Sequence, residues 1–339
     1  MKVLCVGEIM LRLQPKGYKK IVQAKEFDIF YGGAEANVSV SLSNFGLDAW
    51  FLSKVPNNPL GDSAVNSLKE LGVNTSLVVR GGERLGIYYS EKGAAQRPST
   101  VTYDRKYAAF SEMDFSEIDL DKALSNTTWL HFTGITPALS EKTEELTLKL
   151  LKAAKQKGIT VSCDLNYRKK LWSQEKAKVV MTRLMQYVDL LISNEEDCKD
   201  VFGITADNSC IEDGKLSVSG YKKIAEEVSK EFGIKKIAFS LRESYSASTN
   251  GWAGIYYDNG VCYESKQYKV ELVDRIGGGD SFGAGLIYGN LMNKSPQETL
   301  DFAVAASAIK QTIEGDYNLA SVKDVESLMK GSGSGRVQR

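Results

Sequence analysis

Histidine is nearly absent from this chain of 339 residues: His131 is its only one. A mechanism needing two imidazoles is therefore excluded, as is a histidine-rich metal site, and general base chemistry falls to a carboxylate. Disulfide and zinc frameworks are missing too. The five cysteines, Cys5, Cys163, Cys198, Cys210 and Cys262, are odd in number, widely spaced and without a C-x-x-C pair, which suits a reducing, cytoplasmic setting. Net charge is also lacking. Lys and Arg number 43 against 43 Asp and Glu, so no positive excess exists to neutralise the phosphates of a nucleic acid. No apolar run approaches the roughly 18 residues that a membrane span requires. The opening MKVLCVGEIM reads as a buried strand and not as an export signal. With nucleic acid and membrane set aside as partners, a small-molecule enzyme is expected.

At about 100–200 residues per domain, the length predicts two domains or one large α/β domain. Short β-rich runs alternate with amphipathic stretches, the pattern of a mostly parallel sheet covered by helices on both faces. The expected strands are 3–6, 50–55, 129–134, 160–165, 190–193 and 236–241. Among the helices, 141–157 is capped by Ser140 and closed by Gly158, and 174–187 is capped by Ser173. Around Asn250-Gly251 and Asn259-Gly260 the rhythm changes to hairpins at one edge of the sheet. Residues 11–31 and 84–113 carry Tyr, Phe and β-branched residues without helical period. They are expected to form a small second sheet, a lid assembled from two separated insertions. The resulting division is one domain over 1–330, with 331–339, GSGSGRVQR, as a flexible tail.

Chemistry concentrates in Asp274-Arg275-Ile276-Gly277-Gly278-Gly279-Asp280-Ser281-Phe282-Gly283-Ala284-Gly285, which runs into an apolar helix. Three glycines before a helix let bare N–H groups converge at its positive end, an arrangement that accepts phosphate. A carboxylate beside a phosphate site is disfavoured unless it works, and deprotonating an attacking hydroxyl is such work for Asp280. The plainer reading is a tight turn in which Asp280 caps the helix. A second cluster, Gly32-Gly33-Ala34-Glu35-Ala36-Asn37, also precedes a helix. Its small residues would let a polyol approach the backbone, with Asn37 offering a donor and an acceptor. Taken alone, it reads more readily as a strand-to-helix turn.

The two clusters together resemble the paired signatures of the ribokinase-like (PfkB) carbohydrate kinases. The resemblance covers nearly the whole chain and implies a three-layer α/β/α sandwich with a small β-sheet lid. It also implies ATP and Mg²⁺ as cofactors, with Gly277, Gly278 and Gly279 as an anion hole and Asp280 as catalytic base. Further segments, GEIMLRL, Tyr103-Asp104-Arg105, Asp164 to Arg168 with Leu171-Trp172, and Thr312 to Asn318, look like those of members that phosphorylate 2-keto-3-deoxygluconate. On that likeness Gly33, Asn37, Tyr89, Tyr103 and Asp316 would touch the sugar. Arg105 and Arg168 would bind its carboxylate by charge-assisted hydrogen bonds. Asn166, Asn194, Ser240, Leu241, Arg242 and Ala306 would face the nucleotide, Ala306 from a small-residue surface on the helix over 300–312. Asn194 and Asp197 resemble an N-x-x-E metal-linked motif, and the shorter Asp favours a water-mediated Mg²⁺ contact.

Two departures from the family pattern stand out. Arg275 replaces a small hydroxyl residue, which weakens any monovalent-cation site at this turn, and Arg12 stands where sugar kinases often carry an Asp that grips hydroxyls. His131, inside WLHFTGI, is expected to be a core residue. A nicotinamide enzyme would need a second strand after the glycine turn with an acid about 20 residues on, and two helical stretches follow instead. No P-loop G-x-x-x-x-G-K-[ST] occurs. A non-catalytic sugar-binding regulator would lack the base, which is present. Another PfkB-type sugar kinase, acting on fructose or ribose, remains the alternative. The aromatic lid strands predict a homo-oligomer that pairs through the lid.

Overall fold

A computed structural model describes residues 1–206, 211–212 and 215–331; Cys210 and residues 332–339 of the expected tail lie outside the described residues. The strands are β1 (Lys2–Val6), β2 (Met10–Pro15), β3 (Phe27–Gly32), β4 (Asp48–Val55), β5 (Asn74–Arg80), β6 (Gly86–Glu91), β7 (Thr100–Asp104), β8 (Thr127–Thr133), β9 (Thr160–Asp164), β10 (Leu190–Ser193), β11 (Ile211–Glu212), β12 (Lys215–Leu216), β13 (Lys236–Ser244), β14 (Thr249–Asp258), β15 (Val261–Glu264) and β16 (Tyr268–Glu271). The helices are α1 (Ala34–Asn44), α2 (Pro59–Lys69), α3 (Leu120–Leu124), α4 (Ile135–Ala138), α5 (Glu141–Gln156), α6 (Gln174–Met185), α7 (Glu195–Phe202), α8 (Val218–Phe232), α9 (Gly278–Leu291), α10 (Pro296–Lys310) and α11 (Val322–Met329).

The central sheet runs β15-β14-β13-β10-β9-β8-β1-β4-β5, with β16 added beside β14. Pairing is parallel from β13 to β5 and antiparallel at the β14, β15 and β16 edge. Side chains alternate between two cores, as the pleat demands. Val3 and Cys5 join the core under α1, α9 and α10, whereas Leu4 and Val6 join the one under α5, α6 and α8. Buried on both faces, such strands need apolar residues at nearly every position. That is why they stood out in the sequence.

Local signals are met. Ser140 accepts from the Thr143 N–H at the start of α5, and Ser173 caps α6 in the same way. Asn259 and Gly260, with φ of 49° and 92°, form the β14–β15 turn. The other expected turn is displaced: Asn250 and Gly251 lie within β14, paired with Ser244 and Glu243 of β13, and the chain reverses at 245–248. An Asn-Gly pair permits a turn without requiring one, and here the long β13 and β14 ladder outweighs it. His131 is a core residue, its Nδ1 2.8 Å from Ser162 Oγ, and burial pulls its pKa down to about 3.

The second sheet is present, in the order β3-β2-β6-β7. Its strands come from the two insertions, and β2 pairs β6 in parallel across them. In the registers Arg12–Phe30, Arg12–Tyr88 and Tyr88–Tyr103, one face turns to the body of the molecule. Arg12, Gln14, Tyr88 and Ser90 on that face are all buried.

Candidate active site

The carboxyl end of β9, the N-termini of α1 and α9 and the inner face of the lid come together around Asp280 and Asp316. Gly277 is the N-cap of α9 with a φ of 83°, and a Cβ there would lie 2.0 Å from the Asp316 carbonyl. Both facts demand glycine. At Gly279, by contrast, a Cβ would meet nothing within 4 Å. Gly279 therefore opens onto free space, whereas Gly278 N donates to the Arg275 carbonyl at 3.4 Å within the turn. Gly278 is fastened from behind, its carbonyl accepting from Ser307 Oγ at 2.6 Å.

Asp280 stands in that first turn, half-buried. Burial pushes its pKa up to about 7, with Glu35 and Asp316 adding repulsion, while a hydrogen bond from Asn37 and the charge of Arg168 oppose the rise. The Asn37 bond, Nδ2 to Asp280 Oδ2 at 2.7 Å, joins the two glycine clusters directly. At Gly33, the N-cap of α1, a Cβ would strike the Glu8 carbonyl at 2.0 Å, so the start of α1 lies flush against the β1–β2 connection.

Several expected contacts fall elsewhere. Tyr89 lies on the outward face of the lid against Phe27, and its neighbour Tyr88 turns inward and donates to Asp316 Oδ2. Strand alternation reverses direction at every residue, so a tyrosine pair is ambiguous until the register is known. Tyr103 is on the inner face, its ring 5.8 Å from that of Tyr88. Asp316 is buried, with Arg12 Nη1 at 2.9 Å on its other oxygen. Both oxygens are thus engaged, and Asp316 acts as a strut between lid and body instead of a clamp for hydroxyls. Arg105 is paired with buried Glu8, Nε donating at 2.9 Å; of its five donors those on Nη1 stay available for a ligand. Arg168 is exposed, its Nη1 donating to the Tyr167 carbonyl at 3.1 Å. Its charge acts on Asp164, Asp197 and Asp280.

Asp164 is pushed well up by burial and by repulsion from Asp197 and Asp280, a shift that the Asn166 backbone N–H opposes. Asp197 is raised to about 6, again mainly by burial. Asn194 caps α7, its Oδ1 accepting from Asp197 N at 2.7 Å and its Nδ2 3.2 Å from Asp197 Oδ2. On β13, Ser240 and Leu241 are partly exposed and Arg242 is exposed, and Arg242 repels Arg275 beside the glycine turn. Ala306 is fully buried in the packing of α10. Gly285 of α9 approaches Ala303 so closely that a Cβ would meet its Cα at 2.5 Å; the small residues serve that approach and offer no open platform.

Glu35 and Lys310 escaped the sequence reading, and Arg12, marked there only as a departure from the family pattern, finds its partners only in the fold. Glu35, buried in the first turn of α1, accepts from Thr133 N, Thr133 Oγ1 and Thr136 Oγ1 at 2.9, 2.8 and 2.7 Å. A lone carboxylate in a helix of small and apolar residues was its visible signal. Arg12 is wholly buried and pairs with Asp274 at 2.7 Å as well as with Asp316. Lys310 closes α10 beneath the turn.

Residues 1–322 match the pfkB family carbohydrate kinases. The crystal structure of 2-dehydro-3-deoxygluconokinase from Thermotoga maritima is 47% identical, covers 98% of this chain and 100% of its own, and superposes with a TM-score of 0.94. The 2-dehydro-3-deoxygalactonokinase of Haloferax volcanii is 32% identical over 335 residues, 98% of each chain. A 5-dehydro-2-deoxygluconokinase of Clostridium perfringens is 26% identical over 314 residues, 91% of this chain and 86% of its own.

Proposed function

The chain belongs to the pfkB family of carbohydrate kinases, and on that premise we propose that it transfers the γ-phosphoryl group of ATP to the terminal primary hydroxyl of a keto-deoxy sugar acid, 2-keto-3-deoxygluconate, forming the 6-phosphate. The observation that carries this reading is Asp280, a carboxylate with its pKa pushed up to about 7, set in the first turn of α9 beside the open Gly279. The names of the Thermotoga maritima and Haloferax volcanii relatives support the substrate class.

The sugar acid binds between lid and strand ends, with Gly33, Asn37 and Tyr103 around it and its carboxylate on Arg168 and the free donors of Arg105. Tyr88 takes the role expected of Tyr89. Asp280 accepts the hydroxyl proton as the oxygen attacks in line. The N–H groups of Gly278, Gly279 and Asp280 offset charge on the transferring group, where positioning and electrostatics supply most of the catalysis. Asn166, Asn194, Ser240, Leu241 and Arg242 border the nucleotide. Among the described residues no three carboxylate, histidine or cysteine side chains gather to hold a metal. The carboxylates of half-buried Asp164 and buried Asp197 nonetheless suit a hard cation that takes its other ligands from phosphate and water. Bound with ATP, Mg²⁺ supplies positive charge to the phosphates.

Residues 1–330 form one kinase domain in this reading, working in the cytoplasm as a homo-oligomer joined through the lid. A coupled ADP-release screen over 2-keto-3-deoxygluconate, 2-keto-3-deoxygalactonate, 5-keto-2-deoxygluconate, fructose and ribose tests the substrate. Asp280→Asn should cut turnover by about 10²–10⁴-fold, the range for a lost general base, with ATP and sugar still binding. Retained turnover sinks the assignment.

A further inference from the structure

Lys310 is wholly buried, yet no carboxylate is among its hydrogen-bond partners. Its Nζ donates to three main-chain carbonyls, Gly315 at 2.6 Å, Ile313 at 3.2 Å and Asp274 at 3.4 Å. A buried ammonium is costly unless its donors are met, and a leucine or methionine would close the end of α10 more cheaply. Burial pulls the Lys310 pKa down to about 8, while the charges of Asp274, Asp316 and Asp280 work to keep it protonated.

The three carbonyls belong to two segments. Asp274 opens the glycine turn, and Ile313 and Gly315 lie on the loop whose next residue, Asp316, presses against Gly277. The Asp274 carboxylate does the complementary work, accepting from Ile276 N and Gly315 N at 3.2 Å each and from Arg12 at 2.7 Å. One cation gathers carbonyls and one anion gathers N–H groups from the same two segments, directly beneath Gly277 and Gly278.

We propose that Lys310 is a positioning residue for phosphoryl transfer: a tethered internal cation that holds the glycine turn of 277–279 against the 313–316 loop, keeping the α9 N–H groups and Asp280 aimed at the reacting phosphoryl group. The proposal rests on the kinase reading above. Its physical content is specific. Three carbonyls around one positive charge form the shell that a desolvated monovalent cation takes, so removal of the side chain leaves a site that a free cation can refill.

In the coupled assay Lys310→Ala should lower kcat by about 10²–10³-fold, the scale of a lost oxyanion donor. The sugar KM should move by at most about threefold, because the contact acts on the transition state and not on uniform binding. Added ammonium or potassium ions should restore at least about tenfold of the loss, and tetramethylammonium, too large to enter, should restore none. Lys310→Met, which fills the space without charge, should stay slow and unrescued. Near-wild-type turnover by Lys310→Met overturns the proposal. So does a folded Lys310→Ala variant, judged by its circular dichroism and melting curve, that no cation rescues. If neither variant folds, the wild type decides. In tetramethylammonium buffer free of alkali and ammonium ions it should turn over at its full rate, and a requirement for added potassium overturns the internal cation. Absence of ADP formation by the wild type with every sugar acid rejects the kinase reading itself, and this proposal with it.

Discussion

Asp280 accepts a proton only when ionised, and burial holds its pKa near 7. The sign of the pH effect follows: below that value the acid form dominates and cannot act as base, and above it the carboxylate is available. kcat/KM should therefore rise with pH through a midpoint near 7 and then level off. The bond from Asn37 stabilises the charged form, so Asn37→Ala should move this limb to higher pH; superimposable pH–rate profiles would show that the contact does not tune the base. The paired tyrosines permit a second comparison. Tyr88→Phe leaves buried Asp316 short of a donor and should cost about 1–3 kcal/mol in a denaturant melt, with a raised sugar KM. Tyr89→Phe should stay within about 0.5 kcal/mol of wild type, as surface changes do. Equal effects of the two would contradict the lid register.

Among the elements, α9 is unusual in being buried almost all round, from Ser281 to Gly289. It can lie so deep because Gly285 admits the backbone of α10 at Ala303. Gly285→Val should pry the pair apart, at about 1–3 kcal/mol of overpacking. It should also lower kcat, since Asp280 rides on the same helix. A melting temperature and kcat that both match the wild type would separate the site from this packing. The small-residue run of α10 reads equally well as a surface for a flat ring or as a seam for another helix. Only the neighbour across it decides, and Ala306 is buried in the core.

For the molecule as a whole, the lid has two unlike faces. The inner one is tied to the body through Arg12, Asp274 and Asp316, whereas the outer one carries Leu13, Phe27, Ile29, Ile87 and Tyr89. Ile29 is 62% exposed on the edge strand β3. An apolar face of this kind next to an open edge favours pairing with a second copy. Sedimentation should give a dimer that Ile29→Lys shifts toward monomer, and a wild type that is monomeric at all working concentrations would reject pairing. Much of this plan was legible beforehand. Strand periodicity, helix caps, the glycine turn before Asp280 and the two aperiodic insertions are signals that span only a few residues, so the sandwich, the two-part lid and the position of Asp280 at a helix start could be read from the chain alone. Contacts across hundreds of positions were not legible. Asn37 meets Asp280 over 243 residues and Arg12 meets Asp316 over 304, and both depend on strand order and register, which local patterns leave degenerate. The tertiary structure alone decided that Tyr88 and not Tyr89 faces inward, that Asp316 is a strut, and that Lys310 lies beneath the turn, because each depends on which backbone atoms the fold brings within hydrogen-bonding distance.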